Sequence, residues 1–237
     1  LMAPVMGIAF GYDAISRERE SGTLRLLLSR PIYREDVING KMISAIALIG
    51  MTISASALLA VSASILLLGL SPGLDDIVRL FLLIILSMVF TFAYYSISLL
   101  LSTLSSKSGN SLIISFGIWA LFTFILPIAA FVIGFAMLGM PPAVSIEPGQ
   151  PLPDSVTAYY TKLAQINSMV QMVSVNHHYS TLANSLLGSI SPSQTAGAGL
   201  DIFNLISRYG IDVVVLIFYP VIFTVASYIR FTRSEEK

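Results

Sequence analysis

Residues 16–41 read SRERESGTLRLLLSRPIYREDVINGK. This is the only strongly charged run in the chain, and apolar stretches flank it on both sides. Upstream, residues 1–12 read LMAPVMGIAFGY, and Asp13 marks the exit into water. Downstream, Met42 to Leu70 is long and uncharged enough to span a bilayer, which takes roughly 20 apolar residues. The charged run is therefore a short loop at a membrane surface.

Composition agrees. The 237 residues are 55% hydrophobic and 11% charged, and the mean hydropathy is +0.83. A soluble chain carries roughly 25% charged residues. The net charge is zero, which gives no basis for nucleic-acid binding, and there are no cysteines for disulfides, thiol chemistry or Cys-based metal sites.

Working outward, Ile77 to Leu104 is a second complete span and Ser111 to Leu138 a third, with the polar turn Ser105–Asn110 between them and Pro127 as a kink. In the first complete span, Ser56, Ala60 and Ser64 form a ridge of small residues that admits a close helix neighbour. The Ser and Thr hydroxyls of this span are expected to back-bond to their own helix. Ile211 to Ile229 is the last span, with Asp212 at its start and Arg230 and Arg233 after its end, as the helix dipole favours. Between the third and last spans, five prolines at 141–153 forbid a regular helix. A helical period then starts near Asp154 and runs Val156, Tyr160, Leu163, Ile166, Val170, Val173, and a shorter helix is expected at Ser180–Leu187, ending at Gly188.

Sidedness follows from Lys and Arg. The charged loop, the 105–110 turn and the C-terminus share one side, with ten of these residues; the other side holds only Arg79, Lys162 and Arg208. The positive-inside rule places the loop in the cytoplasm. The expected organisation is a transmembrane region 1–138 carrying a cytoplasmic loop at 13–41, an extracytoplasmic domain 139–210, and a last span with a cytoplasmic tail at 211–237. The fold class is all-α, a polytopic transmembrane helix bundle with one partial and four complete spans. The opening apolar run is too short to span, so the chain is expected to begin partway through a span.

The spans lack Asp, Glu, Lys, Arg and His away from their ends. Ion-coupled carriers and selective channels need such groups or a filter loop. If the protein moves a solute uphill, its energy is expected from elsewhere. The loop offers an entry point. Gly22 interrupts the helix leaving the membrane and Pro31 stops the next one, so Thr23–Ser29 can form about two turns. Leu24, Leu27 and Leu28 fall on one face of it, framed by charges of both signs. Such a face suits docking in a groove of a soluble partner, or lying on lipid headgroups.

The run Tyr12-Asp13-Ala14-Ile15-Ser16-Arg17-Glu18-Arg19-Glu20-Ser21-Gly22-Thr23-Leu24, then Leu26-Leu27-Leu28-Ser29-Arg30-Pro31, Arg34 and Gly40-Lys41, resembles the signature of the ABC type-2 permeases. These are membrane subunits of ABC exporters, among them a branch associated with maturation of nitrous-oxide reductase. The resemblance implies six spans in a whole subunit, a dimer with a second permease subunit, and a coupling helix that meets a separate ABC ATPase subunit. ATP and Mg would be held by that partner, with no catalytic residue and no cofactor in this chain. It implies coupling roles for Glu18, Glu20, Gly22, Thr23, Leu24, Leu27, Leu28, Arg30, Pro31 and Lys41, and a plasma-membrane location. Tyr33 departs from the pattern, since a small hydroxyl residue that caps the next helix is common there. The alternatives are an ATP-independent carrier or channel, and a permease-like scaffold that transports nothing.

Phe90, Phe92, Tyr94 and Tyr95 cluster in the second complete span. They either line a path for an amphipathic substrate or pack between helices. His177-His178 is an adjacent pair that cannot share a helix face, with no neighbouring acid in sequence; packing or capping is expected there and no metal. No Walker-type phosphate loop and no Ser-His-Asp set is present, so neither ATPase nor hydrolase chemistry is expected.

Overall fold

The computed structural model describes residues 2–24, 29, 33–69, 72–142, 153–188 and 202–233, the side chains of 68 and 202–206 aside. Every regular element among them is helical. In chain order they are α1 (Met2–Gly11), α2 (Ser16–Glu20), α3 (Arg34–Leu68), α4 (Leu74–Leu104), α5 (Ser108–Ala120), a π-helical turn (Leu121–Ile125), α6 (Leu126–Leu138), α7 (Asp154–Gln171), α8 (Val175–Leu186) and α9 (Ile202–Arg233). Four helices among the described residues are long and apolar enough to cross a membrane: α3, α4, the continuous run Ser108–Leu138, and Ser207–Arg233 of α9. The chain is an all-α transmembrane bundle.

The helices begin earlier than hydropathy alone implies, because acidic residues cap them from inside the first turn. Asp36 accepts the backbone N–H of Tyr33 at 3.3 Å, and Asp76 accepts that of Gly73 at 3.0 Å. A carboxylate three residues in satisfies a donor that the helix cannot, and it suits the positive end of the dipole. Asp36 thus satisfies the amide of Tyr33 itself, a different donor from the one a small hydroxyl at position 33 would take. In α3 the hydroxyls of Thr52, Ser56 and Ser64 donate to the carbonyls four residues back at 2.7–2.8 Å. Pro127 sits in the first turn of α6, directly after the π-helical turn. Extra residues per turn re-seat a helix whose proline lacks an N–H, so the disturbance falls at 121–125. Tyr209 is non-helical inside α9, at φ −116° and ψ 20°.

The chain forms two compact units, Leu1–Trp119 with His178–Lys237, and Ala120–His177. In the first, α1 lies against α4 at very short range. A Cβ on Gly11 would stand 2.7 Å from the Tyr95 carbonyl oxygen and 2.8 Å from Ser98 Cβ. One on Gly7 would collide with the Thr91 carbonyl. Two glycines four apart give a flat ridge for close helix approach. Beside this contact lies a core of Ile15, Leu24, Ile38, Ile49, Leu99 and Phe231, each 0–1% exposed. In the second unit, α7 runs back along α6. Gly134 leaves room for the Leu163 side chain, and the Tyr159 hydroxyl donates to the Gly139 carbonyl at 2.7 Å.

Candidate functional site

The loop that the sequence singles out is built around α2, and its residues grip the ends of the long helices. The backbone N–H groups of Ile15 and Ser16 both donate to Ser102 Oγ at 2.9 Å. That hydroxyl donates in turn to Ser16 Oγ at 3.1 Å. Both serines are fully buried, so these bonds are made away from competing water.

Arg19 and Glu20 are neighbours of opposite sign and reach opposite helix ends. Arg19 Nη1 donates to the carbonyls of Thr103 and Ser105 at 3.0 and 2.8 Å, at the end of α4. Glu20 Oε2 accepts from the amide and hydroxyl of Ser108 at 3.1 and 2.5 Å, at the start of α5. A cation on last carbonyls and an anion on first amides is the arrangement that both dipoles favour. The Ser108 hydroxyl, then its amide, hold the Glu20 carboxyl below the usual carboxylate range.

Glu18 turns elsewhere. Its Oε1 lies 2.7 Å from Lys41 Nζ in α3. Its Oε2 is buried with no hydrogen-bond partner among the described residues. The pair borders a cavity of about 540 Å³ whose walls include Phe10, Ala14, Ser44 and Tyr95. The Tyr95 hydroxyl donates to the Lys41 carbonyl at 3.1 Å. At the foot of α3, Arg34 Nη1 donates to the Phe231 carbonyl in α9 at 3.4 Å. The loop is tied to α3, α4 and α5, and the foot of α3 to α9.

Gly22 has φ +74° and nothing near its missing Cβ, so it is needed for the backbone turn rather than for space. The Thr23 hydroxyl bonds the Glu18 carbonyl and the Ser21 hydroxyl at 3.3 and 2.8 Å, which closes that turn. Leu24 is placed otherwise than its sequence spacing suggests. It is 1% exposed and packed in the core with Ile15 and Tyr95, so it anchors the loop from inside. Leu27, Leu28, Arg30 and Pro31 lie outside the described residues. Sequence reasoning gave no coupling role to Ser16, Arg19, Ser102 or Ser108. The available signal was two adjacent opposite charges on the same side of the membrane as a two-helix turn, whose ends need one of each.

The aromatic cluster divides. Phe90, Tyr94 and Tyr95 are buried at 1–4% exposure. The Phe90 ring stacks on Tyr179 at 4.1 Å and meets Tyr94 edge-on at 5.5 Å. Phe92 borders an apolar cleft of about 600 Å³ formed with Ile46, Met88, Ile217 and Val221, between α3, α4 and α9. These four rings do not share one surface. His178, 3% exposed, has its Nδ1 2.6 Å from Asp212 Oδ1. The acid that its own neighbourhood in sequence lacks comes from 34 positions away.

Comparison with known proteins agrees with this architecture. Residues 1–235 match the family described as ABC-2 family transporter protein. Over 136 residues the chain is 29% identical to a protein of Pseudomonas aeruginosa named probable ABC transporter permease protein NosY. The aligned part is 54% of this chain and 46% of that protein, so the chain spans less than half the length of this curated relative. With a family match along nearly its whole length and an apolar helical bundle to go with it, the chain belongs to the ABC-2 family of transporter proteins.

Proposed function

We propose that this chain is the membrane-spanning permease subunit of an ATP-binding cassette exporter, paired with a second permease subunit in the plasma membrane. A separate ATPase subunit, holding ATP and Mg, docks on residues 13–41 from the cytoplasm. The observation that carries this reading is the grip of Arg19 and Glu20 on the end of α4 and the start of α5. A loop bonded to these helix ends, and through Glu18 to α3, cannot be pushed without moving the helices. A merely interfacial loop has no need of such bonds. The Lys and Arg distribution supports the cytoplasmic side, and the lack of charges within the spans supports an external energy source. Chemistry then resides in the partner, and this chain converts displacement of its loop into a change of access.

Co-purification and flux test this directly. Tagged chain in proteoliposomes should retain an ATPase subunit and move solute only with ATP. Arg19→Met combined with Glu20→Gln should leave the ATPase subunit bound while flux falls about tenfold or more, since one transition-state contact of 1.4 kcal/mol already gives tenfold. Flux that persists without ATP, or a chain that retains no ATPase subunit, overturns the reading.

A further inference from the structure

Pro127 has no N–H to donate, so one carbonyl in the turn before it must lose its helical partner. Which carbonyl that is depends on the register. In an α-helix, residue 127 would serve Thr123, four positions back. In a π-helix it would serve Phe122, five positions back. The structure has the second register over Leu121–Ile125, where the Leu126 N–H donates to the Leu121 carbonyl. An α-helix would have given that N–H to Phe122. Phe122 is therefore the carbonyl that the proline leaves unserved.

That carbonyl is met from outside its own helix. Ser174 Oγ donates to it at 3.5 Å, and Ser174 is fully buried, so the hydroxyl makes this bond away from water. Two positions on, Asn176 Nδ2 donates to Thr123 Oγ1 at 2.9 Å. Both donors come from the corner where α7 gives way to α8, and both lie in the same compact unit as the turn. The far end of α7 depends on the same register. The Leu163 side chain occupies the room left by the missing Cβ of Gly134. Gly134 holds that place because the π-helical turn takes up one extra residue. Without the extra residue, everything after the turn would rotate by about 100° and advance by about 1.5 Å relative to what precedes it. Ile133 would then stand where Gly134 does, and a Cβ there collides with Leu163.

We propose that Leu121–Ile125 is a register switch in the third complete span, and that Ser174 and Asn176 are positioning residues that hold it in the π register. The Ser174 hydroxyl decides that Phe122, and not Thr123, is the carbonyl left by the proline. Without that hydroxyl, either register leaves one carbonyl unpaired, and the α-helix wins as the ordinary geometry. The two ends of α7 are thereby linked. Lifting the Ser174 corner off Phe122 releases the turn, rotates α6 and unseats Leu163 from Gly134. Displacing Leu163 favours release of Ser174 in return, because a coupling between two sites is reciprocal. A pull on the corner between α7 and α8 thus reaches the span as one discrete rotation of α6. No ATPase subunit and no cargo enters this inference, so it stands apart from the transport reading.

The chain has no cysteine, so a pair of introduced cysteines reads the register directly. Leu163→Cys removes the bulky side chain, so the reporter does not itself decide the outcome. In liposomes under mild oxidation, Leu163→Cys with Gly134→Cys should form a disulfide about tenfold faster than Leu163→Cys with Ile133→Cys, the scale of effect that one unpaired buried carbonyl carries. Ser174→Ala should reverse that order, and Ser174→Thr, which keeps the hydroxyl, should leave it as it is. Pro127→Ala returns the missing N–H, so the Ile133→Cys pair should be the faster there, with Ser174 or with Ser174→Ala alike. A mere loosening of the corner between α7 and α8 would slow both pairs, whereas a register change exchanges them. An unchanged order in Ser174→Ala, or loss of both crosslinks in a chain that keeps its helicity, overturns the proposal. So does a Gly134→Cys preference retained in Pro127→Ala, which decides the matter even where Ser174→Ala fails to fold.

Discussion

Lys41 Nζ and Glu18 Oε1 meet at 2.7 Å across 23 positions of sequence, and so join the foot of α3 to α2. Their side chains are 24% and 31% exposed, which leaves the pair only partly screened. Exposed ion pairs contribute about 1 kcal/mol or less. A cycle of Glu18→Gln, Lys41→Met and the double variant should therefore give a coupling energy of about 1 kcal/mol in thermal unfolding. Transport should suffer more than stability, because the pair links the loop to a span. The reversed pair, Glu18→Lys with Lys41→Glu, should recover part of the flux that either change alone removes. Failure of that recovery would show that the geometry at Lys41, where Tyr95 also holds the backbone, matters more than the charge pairing.

Glu20 carries a pH dependence whose sign is fixed by its partners. Its carboxyl is depressed by the Ser108 hydroxyl and then the Ser108 amide from an ordinary value of 4.5. The contact between α2 and the start of α5 is thus fully present above about 4.5. It is lost as the pH falls through the lower, folded value. Ser108→Ala removes the larger of the two causes, and should move the Glu20 titration midpoint up toward its ordinary value in a carbon-13 carboxyl titration. An unmoved midpoint would mean that the amide alone sets it.

What was legible in the sequence was whatever depends on composition over a run of residues. The four spans, the charged loop, the break at Gly22 and the helix from Asp154 all follow from hydropathy, charge and backbone rules. What was not legible depends on partners far along the chain. Glu18 and Glu20 look alike in SRERE, yet one pairs with Lys41 and the other with Ser108, 88 positions on. The spacing of Leu24 in the loop suggests an outward apolar face, whereas packing against Ile15, Tyr95 and Leu99 takes Leu24 inside. Gly7 and Gly11 were legible, as a small-xxx-small ridge at helical spacing, and went unread.

That ridge makes a steric prediction. Gly11→Val places carbon where the nearest atoms would be 2.7 and 2.8 Å away, on the backbone and Cβ of α4, so neither can swing clear. Overpacking of this kind costs about 1–3 kcal/mol. The melting temperature of the solubilised chain should fall by several degrees, in line with about 4–8 °C per kcal/mol in small domains and less in larger ones. Gly117→Ala, where no atom lies within 4 Å, should leave it unchanged or raise it slightly. Equal effects at both positions would remove close α1–α4 packing as the cause.

Burial of Leu24 changes how the docking loop should be probed. Leu24→Ala removes a side chain that is 1% exposed and packed among Ile15, Ile38 and Tyr95. It should cost about 2–5 kcal/mol, as large-to-small changes in tight cores do. Leu24→Arg would bury an unpaired charge at the same place and should lose the loop's packing and ATPase docking together, which says nothing about a surface contact. Arg17 is the better reporter, with a 77% exposed side chain whose ion pair, to Asp13 at 3.4 Å, is local and exposed. Arg17→Glu should leave the melting temperature within about 1 °C, since surface changes fall within about 0.5 kcal/mol, while weakening ATPase association in a salt-dependent way. If Leu24→Ala weakened association at an unchanged melting temperature, the side chain would be reaching the partner after all, and its place in the core would be a resting state of the loop.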